Sequence, residues 1–401
     1  MTAPSRRFLP YGRQQIGDDD VAAVTEVLRG DTLTTGPTVA AFEQALIKAT
    51  GASYAVACSS GTAALHLAAM ALDLGPGDKA VVPALTFLAT ANMVRMRGAE
   101  VVFADVDAET GLMGAQELAS AMAREGSETV KAVFAVHYAG QCAAPDELAA
   151  AAKGLPVVAD SCHALGTAYG KDGRAGDCRH AMVETFSFHP VKTIAAGEGG
   201  AATTNDGALA ERLRRLRNHG ITREAGSFVR EDFARDGEGG TNPWYYEMTE
   251  IGLNYRLSDI HCALGLSQLA KLEDFCAARR ALAACYDEKL TALAPLVRPL
   301  GRMAGCDPAW HLYVARVDFE TLGLERAEVM KRLLQAGIGT QVHYLPLHMQ
   351  PYYRDRYGET SLPGAEAFYR QALSLPMFQD MKEEEVDYVV ATIGEITGAG
   401  T

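Results

Sequence analysis

The chain switches repeatedly between short apolar, β-branched runs and helix-patterned segments, and that alternation limits the folds open to it. "SYAVACSSGTAALHLAAMALDLG" passes from a strand into a helix, and "KAVVPALTF", "AEVVFADVD", "VKAVFAVHY" and "LPVVADSC" are further apolar runs. "TANMVRMRG", "AQELASAMARE" and "PDELAAAAKG" lie between them with helical character. The runs lack strict apolar–polar alternation, as expected of strands buried on both faces of a parallel sheet. Alternating β and α units predict an α/β fold, a mostly parallel sheet covered by helices. Upstream, "GDDDVAAVTEVLRG" and "PTVAAFEQALIKATG" read as helices closed by Gly30 and Gly51. From Ser258, "SDIHCALGLSQLAKLEDFCAARRALAACYDEKLTAL" reads as one long helix, followed by a strand in "HLYVARVDF" and a helix in "ERAEVMKRLLQAG". The expected division is a large domain over residues 1–257 and, over 258–401, the long helix with a smaller C-terminal α+β domain. Residues 223–243 are polar and glycine-rich and read as a mobile loop or insertion.

With 401 residues the chain can bury a large core. Its formal net charge of -13 argues against general nucleic-acid binding, which needs a basic face, but leaves room for a locally positive site that takes a small anion. No apolar run follows the arginines of "MTAPSRRFLPYGRQQ", and no stretch approaches the ~20 apolar residues of a membrane span, so a cytoplasmic protein is expected. None of the eight cysteines has CxxC spacing, and Cys58, Cys162 and Cys262 sit in apolar surroundings as reduced thiols would. The ten histidines form no HExxH or other metal-type cluster, and no metal is expected.

Ligands of an open parallel sheet bind beyond the carboxyl ends of its strands. Four junctions of that kind carry chemistry. In "SSGTAALHL", Ser60, Gly61 and Thr62 stand where a strand becomes a helix, either as an ordinary N-cap or as a phosphate site built from free N–H groups and hydroxyls. In "VVADSCHALG", Asp160 ends a strand with His163 three residues on; the carboxylate serves either a structural hydrogen bond or a buried cation such as a protonated ring nitrogen. In "TFSFHPVKTIAAGEGG", Ser187 ends a buried run and Lys192 is the only cation between His189 and Arg212. It is either a solvated loop lysine or an amine of lowered pKa that attacks carbonyls, and the glycines after it favour close backbone approach over a plain solvated loop. In "TFLATANMV", Phe87 ends a strand as a core residue or as a platform for a flat ring. A phosphate site, an aromatic platform, an acid for a ring nitrogen and a lysine for an aldehyde are together the four handles of pyridoxal 5'-phosphate (PLP). No GxGxxG or Walker lysine supports a nucleotide enzyme instead.

At these residues the chain resembles the aspartate-aminotransferase-like, fold type I enzymes, and more narrowly the DegT/DnrJ/EryC1/StrS sugar aminotransferases. The resemblance runs over nearly the whole chain, through "LTTGPTVAAFE", "SSGTAALHLA", "TFLATANMV", "VHYAGQ", "DSCHALG", "SFHPVKTIAAGEGG", "LRNHGIT", "GLNYRLSDIHCALGLSQL" and "HYLPLH". It implies that Lys192 bonds the PLP aldehyde, that Asp160 keeps the ring nitrogen protonated, and that His163 lies near the ring hydroxyl where many relatives have glutamine. It further implies that Gly61, Thr62, Ala63 and Ser187 hold the phosphate and that Phe87 stacks on the ring. Asn254 would reach the phosphate of a neighbouring subunit in a homodimer with shared sites. Thr34, Thr35 and Gly36, with His343 and Tyr344, would face the sugar nucleotide. "DSCHALG", "FSFHPVKTIAAGEGG" and "NPWYYEMTEIGLNYRLSDI" are most similar to members that form UDP-4-amino-4,6-dideoxy-N-acetyl-β-L-altrosamine in pseudaminic acid biosynthesis. The implied reaction passes the amino group of L-glutamate to C4 of a UDP-linked 4-keto-6-deoxy-HexNAc. The alternatives are a GDP- or dTDP-linked 4-keto sugar, or a non-catalytic regulatory homologue. Relatives that carry histidine in place of the lysine catalyse dehydration; Lys192 here favours transamination.

Overall fold

A computed structural model describes residues 7–125 and 129–400. The first six residues of the N-terminal stretch, part of the segment expected to carry no leader, lie outside the described residues. Seven strands build the main sheet: β1 (Tyr54–Cys58), β2 (Lys79–Pro83), β3 (Glu100–Ala104), β4 (Val130–Val136), β5 (Val157–Asp160) and, after a small hairpin of β6 (Ala168–Tyr169) and β7 (Gly173–Arg174), β8 (Val183–Ser187) and β9 (Gly200–Thr204). Their order is β1-β9-β8-β5-β4-β2-β3. The neighbours from β8 through β3 pair in parallel, whereas β9 runs antiparallel to both β8 and β1. The exception has a local cause. Parallel neighbours need a crossover of about a dozen residues or more, usually carrying a helix. The β8–β9 connection, residues 188–199, contains no helix and returns directly, so β9 must run back along β8. Lys192 lies on that return.

Helices α1 (Asp18–Arg29), α2 (Pro37–Thr50), α3 (Gly61–Ala71), α4 (Leu88–Met96), α5 (Ala115–Glu125), α6 (Pro145–Ala151) and α7 (Gly207–Arg217) accompany this sheet. Phe87 does not end a strand as expected: β2 stops at Pro83 and Phe87 is the N-cap of α4. Residues 223–243 are not a plain loop. They contain a helical turn at Ala225–Ser227, a short helix α8 (Glu231–Ala234) and a bridge between Arg235 and Thr241. Glu247, on β11 (Glu247–Met248) paired with β10 (Ile221–Thr222), ties the segment down by accepting the N–H groups of Val229 at 2.8 Å and Arg230 at 2.7 Å.

The single long helix expected from Ser258 is two, α9 (Asp259–Leu269) and α10 (Leu272–Leu290). The chain turns at Ala270 and Lys271, where tertiary bonds outweigh helical continuity. Lys271 reaches Asp19 at 2.9 Å and Asp20 at 2.7 Å, and Gln268 donates to Asp20 at 2.7 Å, so this end of α9 is fastened to α1. Beyond it, β12 (Val297–Pro299), β14 (Tyr313–Val317) and β15 (Ala372–Leu375) form a three-stranded antiparallel sheet, while β13 (Cys306–Asp307) joins the β6–β7 hairpin. Among the later helices, α11 (Phe319–Leu322), α12 (Arg326–Gln335), α13 (Pro351–Tyr357), α14 (Pro363–Gln371) and α15 (Glu383–Thr397) complete the chain. One continuous apolar core joins the main sheet to the three-stranded sheet, running from Val81 and Val133 through Tyr286 to Val314 and Leu373.

Two glycines set a close approach at the carboxyl edge of the main sheet. A Cβ on Gly200 would stand 2.3 Å from the Ser60 carbonyl group, and one on Gly61 would stand 2.8 Å from Ser187 Cβ. These positions press the start of α3 onto the ends of β8 and β9. Gly200→Ala is therefore expected to lower stability by about 1–3 kcal/mol through backbone overpacking, measured by denaturant unfolding. Gly75→Ala, where an added Cβ meets nothing within 4 Å, should stay close to the parent protein.

Candidate active site

The carboxyl edge of the sheet opens into a cavity of about 580 Å³. At its floor α3 begins. Ser60 is the N-cap, and its Oγ accepts the Ala63 N–H at 3.1 Å. Gly61 and Thr62 have no acceptor for their N–H groups among the described residues. With the helix dipole behind them and the hydroxyls of Thr62 and Ser187 beside them on the cavity wall, they form an anion cradle. Ala63 itself is buried, does not line the cavity and gives its N–H to Ser60, so the cradle rests on Gly61 and Thr62.

Asp160, at the end of β5, is buried with its carboxylate held on both oxygens. Thr90 Oγ1 donates to Oδ2 at 2.8 Å, and the Cys162 N–H approaches Oδ1 at 3.2 Å. Lys192 sits in a tight turn in which its N–H donates to the His189 carbonyl at 2.8 Å. Burial lowers the pKa of its amine, and the neighbouring Cys162 and Asp160 oppose that shift. Three imidazoles share the same wall. Burial holds His163 well below its ordinary value, and the Lys192 charge adds to the effect. His311 is depressed in the same way. His343 is pushed down to about 3, first by burial and then by Lys192. The rings of His163 and His311 lie 4.4 Å apart; His163 Nε2 is 3.3 Å from the Tyr344 hydroxyl, and His343 Nδ1 is 2.8 Å from Ser374 Oγ. These three histidines are neutral, and beside them the Lys192 amine and the carboxylates of Asp160 and Glu198 line the cavity.

The donor set fits PLP. The cradle suits an ester phosphate, Asp160 a protonated ring nitrogen, and Lys192 an aldehyde. The Nδ1 of His163 is buried without a partner among the described residues, so a bound hydroxyl would satisfy it. Phe87 is 53% exposed at the cavity wall, 5.8 Å from the Tyr344 ring, and leaves an aromatic face available to a flat ligand.

Ten of the candidate site residues singled out from the sequence thus meet at one cavity: Ser60, Gly61, Thr62, Phe87, Asp160, His163, Ser187, Lys192, His343 and Tyr344. Others do not. Thr34 bridges to Ser258, and the Gly36 N–H donates to Asp259 at 2.8 Å to start α2. Thr35 lines a separate groove with Arg223 and Arg256, and Asn254 bridges to Asn218. Sequence reasoning missed Tyr11, Thr86, Thr90, His311 and Gln341. Only Thr86 and Thr90 left a signal, two hydroxyls at i,i+4 around the aromatic that was noticed.

Because His343 is uncharged when folded, it costs stability only in acid. Above an ordinary pKa of about 6.5 both states are neutral; as pH falls below that value the unfolded chain takes a proton that the folded protein refuses until about pH 3. His343→Asn should therefore reduce the stability lost between pH 7 and pH 5 by about 2 kcal/mol, read from denaturant unfolding at both pH values. An unchanged loss would mean that the imidazole is charged in the folded protein.

Residues 14–394 match the DegT/DnrJ/EryC1/StrS aminotransferase family. Among solved structures, the chain is similar to Helicobacter pylori PseC, an aminotransferase involved in the biosynthesis of pseudoaminic acid, at 28% identity and TM-score 0.87, over 98% of this chain and 100% of that one. It is similar to the PLP-form of the sugar aminotransferase Spr1654 from Streptococcus pneumoniae at 27% identity and TM-score 0.85, over 98% and 99%. Likeness to S. venezuelae DesV stands at 30% identity and TM-score 0.83, over 98% and 99%. With that match over residues 14–394, the chain belongs to the DegT/DnrJ/EryC1/StrS aminotransferase family of PLP-dependent enzymes.

Proposed function

We propose that the protein transfers the amino group of L-glutamate to C4 of a UDP-linked 4-keto-6-deoxy-HexNAc, forming UDP-4-amino-4,6-dideoxy-N-acetyl-β-L-altrosamine. The observation that carries the transamination is the pairing of Lys192 with Asp160 in one cavity with a phosphate cradle. The likeness to PseC over the full length of that chain supports the choice of sugar.

Bound in the cavity, PLP supplies an aldehyde carbon that takes up and releases an amino group and a ring that stores the electron pair left when the donor Cα–H bond breaks. The chain does the rest. Gly61, Thr62 and Ser187 hold the phosphate, which fixes the ring in depth. Asp160 accepts the ring N–H and keeps the nitrogen charged. Lys192, whose amine burial makes easier to deprotonate, would take the Cα proton of the donor and deliver it to the aldehyde carbon of the cofactor, and on the sugar half would take a proton from that carbon and deliver it to C4 of the sugar. His163 and His343 stay neutral and add no competing cation beside that amine. Lys192→Ala should fold and lose turnover by several orders of magnitude. Offered a panel of UDP-, dTDP- and GDP-linked 4-keto-6-deoxy sugars with glutamate, the wild type should favour the UDP-HexNAc, with product stereochemistry read by NMR. A clear preference for a dTDP or GDP sugar would retain the chemistry and overturn the substrate.

The working unit in this reading is a homodimer with shared sites. Asn254 and the segment Thr34, Thr35 and Gly36 lie outside the cavity of their own chain. The apolar side chains of Val229, Phe233, Trp244, Met248 and Ile251 are exposed, Ile251 at 80%, and are suited to burial by a second copy. Mixing inactive Lys192→Ala with impaired Asn254→Ala protein under exchange conditions should restore activity, since one of the two sites in a mixed dimer is then intact. No recovery in a demonstrably mixed dimer would contradict sharing.

A further inference from the structure

We propose that Thr86 and Thr90 are positioning residues, a two-hydroxyl chain that aims the Asp160 carboxylate at the ring nitrogen of the cofactor. An ionised carboxylate only accepts, so in the 2.8 Å contact the Thr90 hydroxyl is the donor. Its proton is then committed, and in the 2.9 Å contact between Thr86 Oγ1 and Thr90 Oγ1 the proton must come from Thr86. The chain of bonds therefore has one direction, Thr86 to Thr90 to Asp160. Both threonines are at most 1% exposed, so water cannot replace either hydroxyl at little cost. Their β-branched side chains are stiff at χ1, and both sit on the tight entry to α4, on either side of its N-cap Phe87. The Cys162 N–H fixes the second oxygen from the turn after β5, so two separate elements clamp one carboxylate. Thr185, paired with Asp160 across the sheet, leaves its hydroxyl buried and without a partner among the described residues, so the neighbouring strand does not supply this bond. The segment 86–90 thereby supplies both the aromatic platform and the support of the acid, and a shift of α4 would move both together.

The inference rests on the reading that Asp160 meets the ring nitrogen. Apo-protein variants are titrated with PLP by fluorescence, and turnover is measured after reloading. Thr90→Val should bind PLP about tenfold more weakly, the scale of one lost bond to a charged group, and lower kcat with little change in the KM for glutamate. Thr90→Ser, which keeps the hydroxyl, should return both to within about threefold of wild type. Thr86→Val should act in the same direction with a smaller effect, and it decides the matter if Thr90→Val does not fold. Wild-type affinity in Thr90→Val, or equal impairment in Thr90→Ser and Thr90→Val, would overturn the relay. Asp160→Asn separates the two levels: if it leaves PLP affinity and kcat unchanged, the reading beneath the relay fails; if it impairs both while the threonine variants do not, the relay alone fails.

Discussion

The site depends on one backbone contact. Gly200, at the start of β9, lies so close to Ser60 and Gly61 that any side chain there would displace the start of α3. Gly61 repeats the constraint against Ser187. Because β9 is inserted antiparallel between β1 and β8, the helix that follows β1 and the loop that follows β8 converge at one edge. A parallel crossover there would have put a helix where Lys192 needs to be. The anion cradle and the amine are therefore two consequences of the same strand reversal.

Electrostatics then narrow what the site can do. Burial keeps His163, His311 and His343 neutral, and Lys192 itself helps to hold them so. Conversely, the lowered pKa of Lys192 comes first from burial and is restrained by Cys162 and Asp160. The result is an amine able to move between charged and neutral forms beside a fixed carboxylate. That is the requirement for carrying a proton to and from carbon. The same principle of buried, oriented polar groups holds further from the chemistry. Arg279, fully buried on α10, donates to the carbonyls of Trp310 at 3.1 Å and His311 at 3.2 Å, and to Gln379 at 3.3 Å. Gln379 in turn donates to the Thr193 carbonyl at 2.9 Å, next to Lys192, and so ties the lysine loop to the C-terminal part of the chain.

What could be read from the sequence follows the range of the forces involved. The α/β alternation, the two N-terminal helices and the strand-end positions of Asp160 and Ser187 are local patterns, and they were legible. Glycines in "GEGG" announced close approach, though not that Gly200 would meet Ser60. Tertiary bonds were invisible: Lys271 and Gln268 interrupt a sequence that is helical throughout, and Glu247 orders a segment whose composition reads as loop. Phe87 was read as the end of a strand, but its role as a helix cap depends on where β2 stops. His311 and Gln341 reach the cavity from beyond residue 300, and nothing near them in the chain marks them as site residues.

The central claim is that the Lys192 amine is the group that bonds the PLP aldehyde. Borohydride reduction of the PLP-loaded protein, followed by peptide mapping by mass spectrometry, tests it most directly. The account predicts a stable pyridoxyl label on Lys192 alone. A loaded protein that yields no label, or carries it on another lysine, would contradict the account.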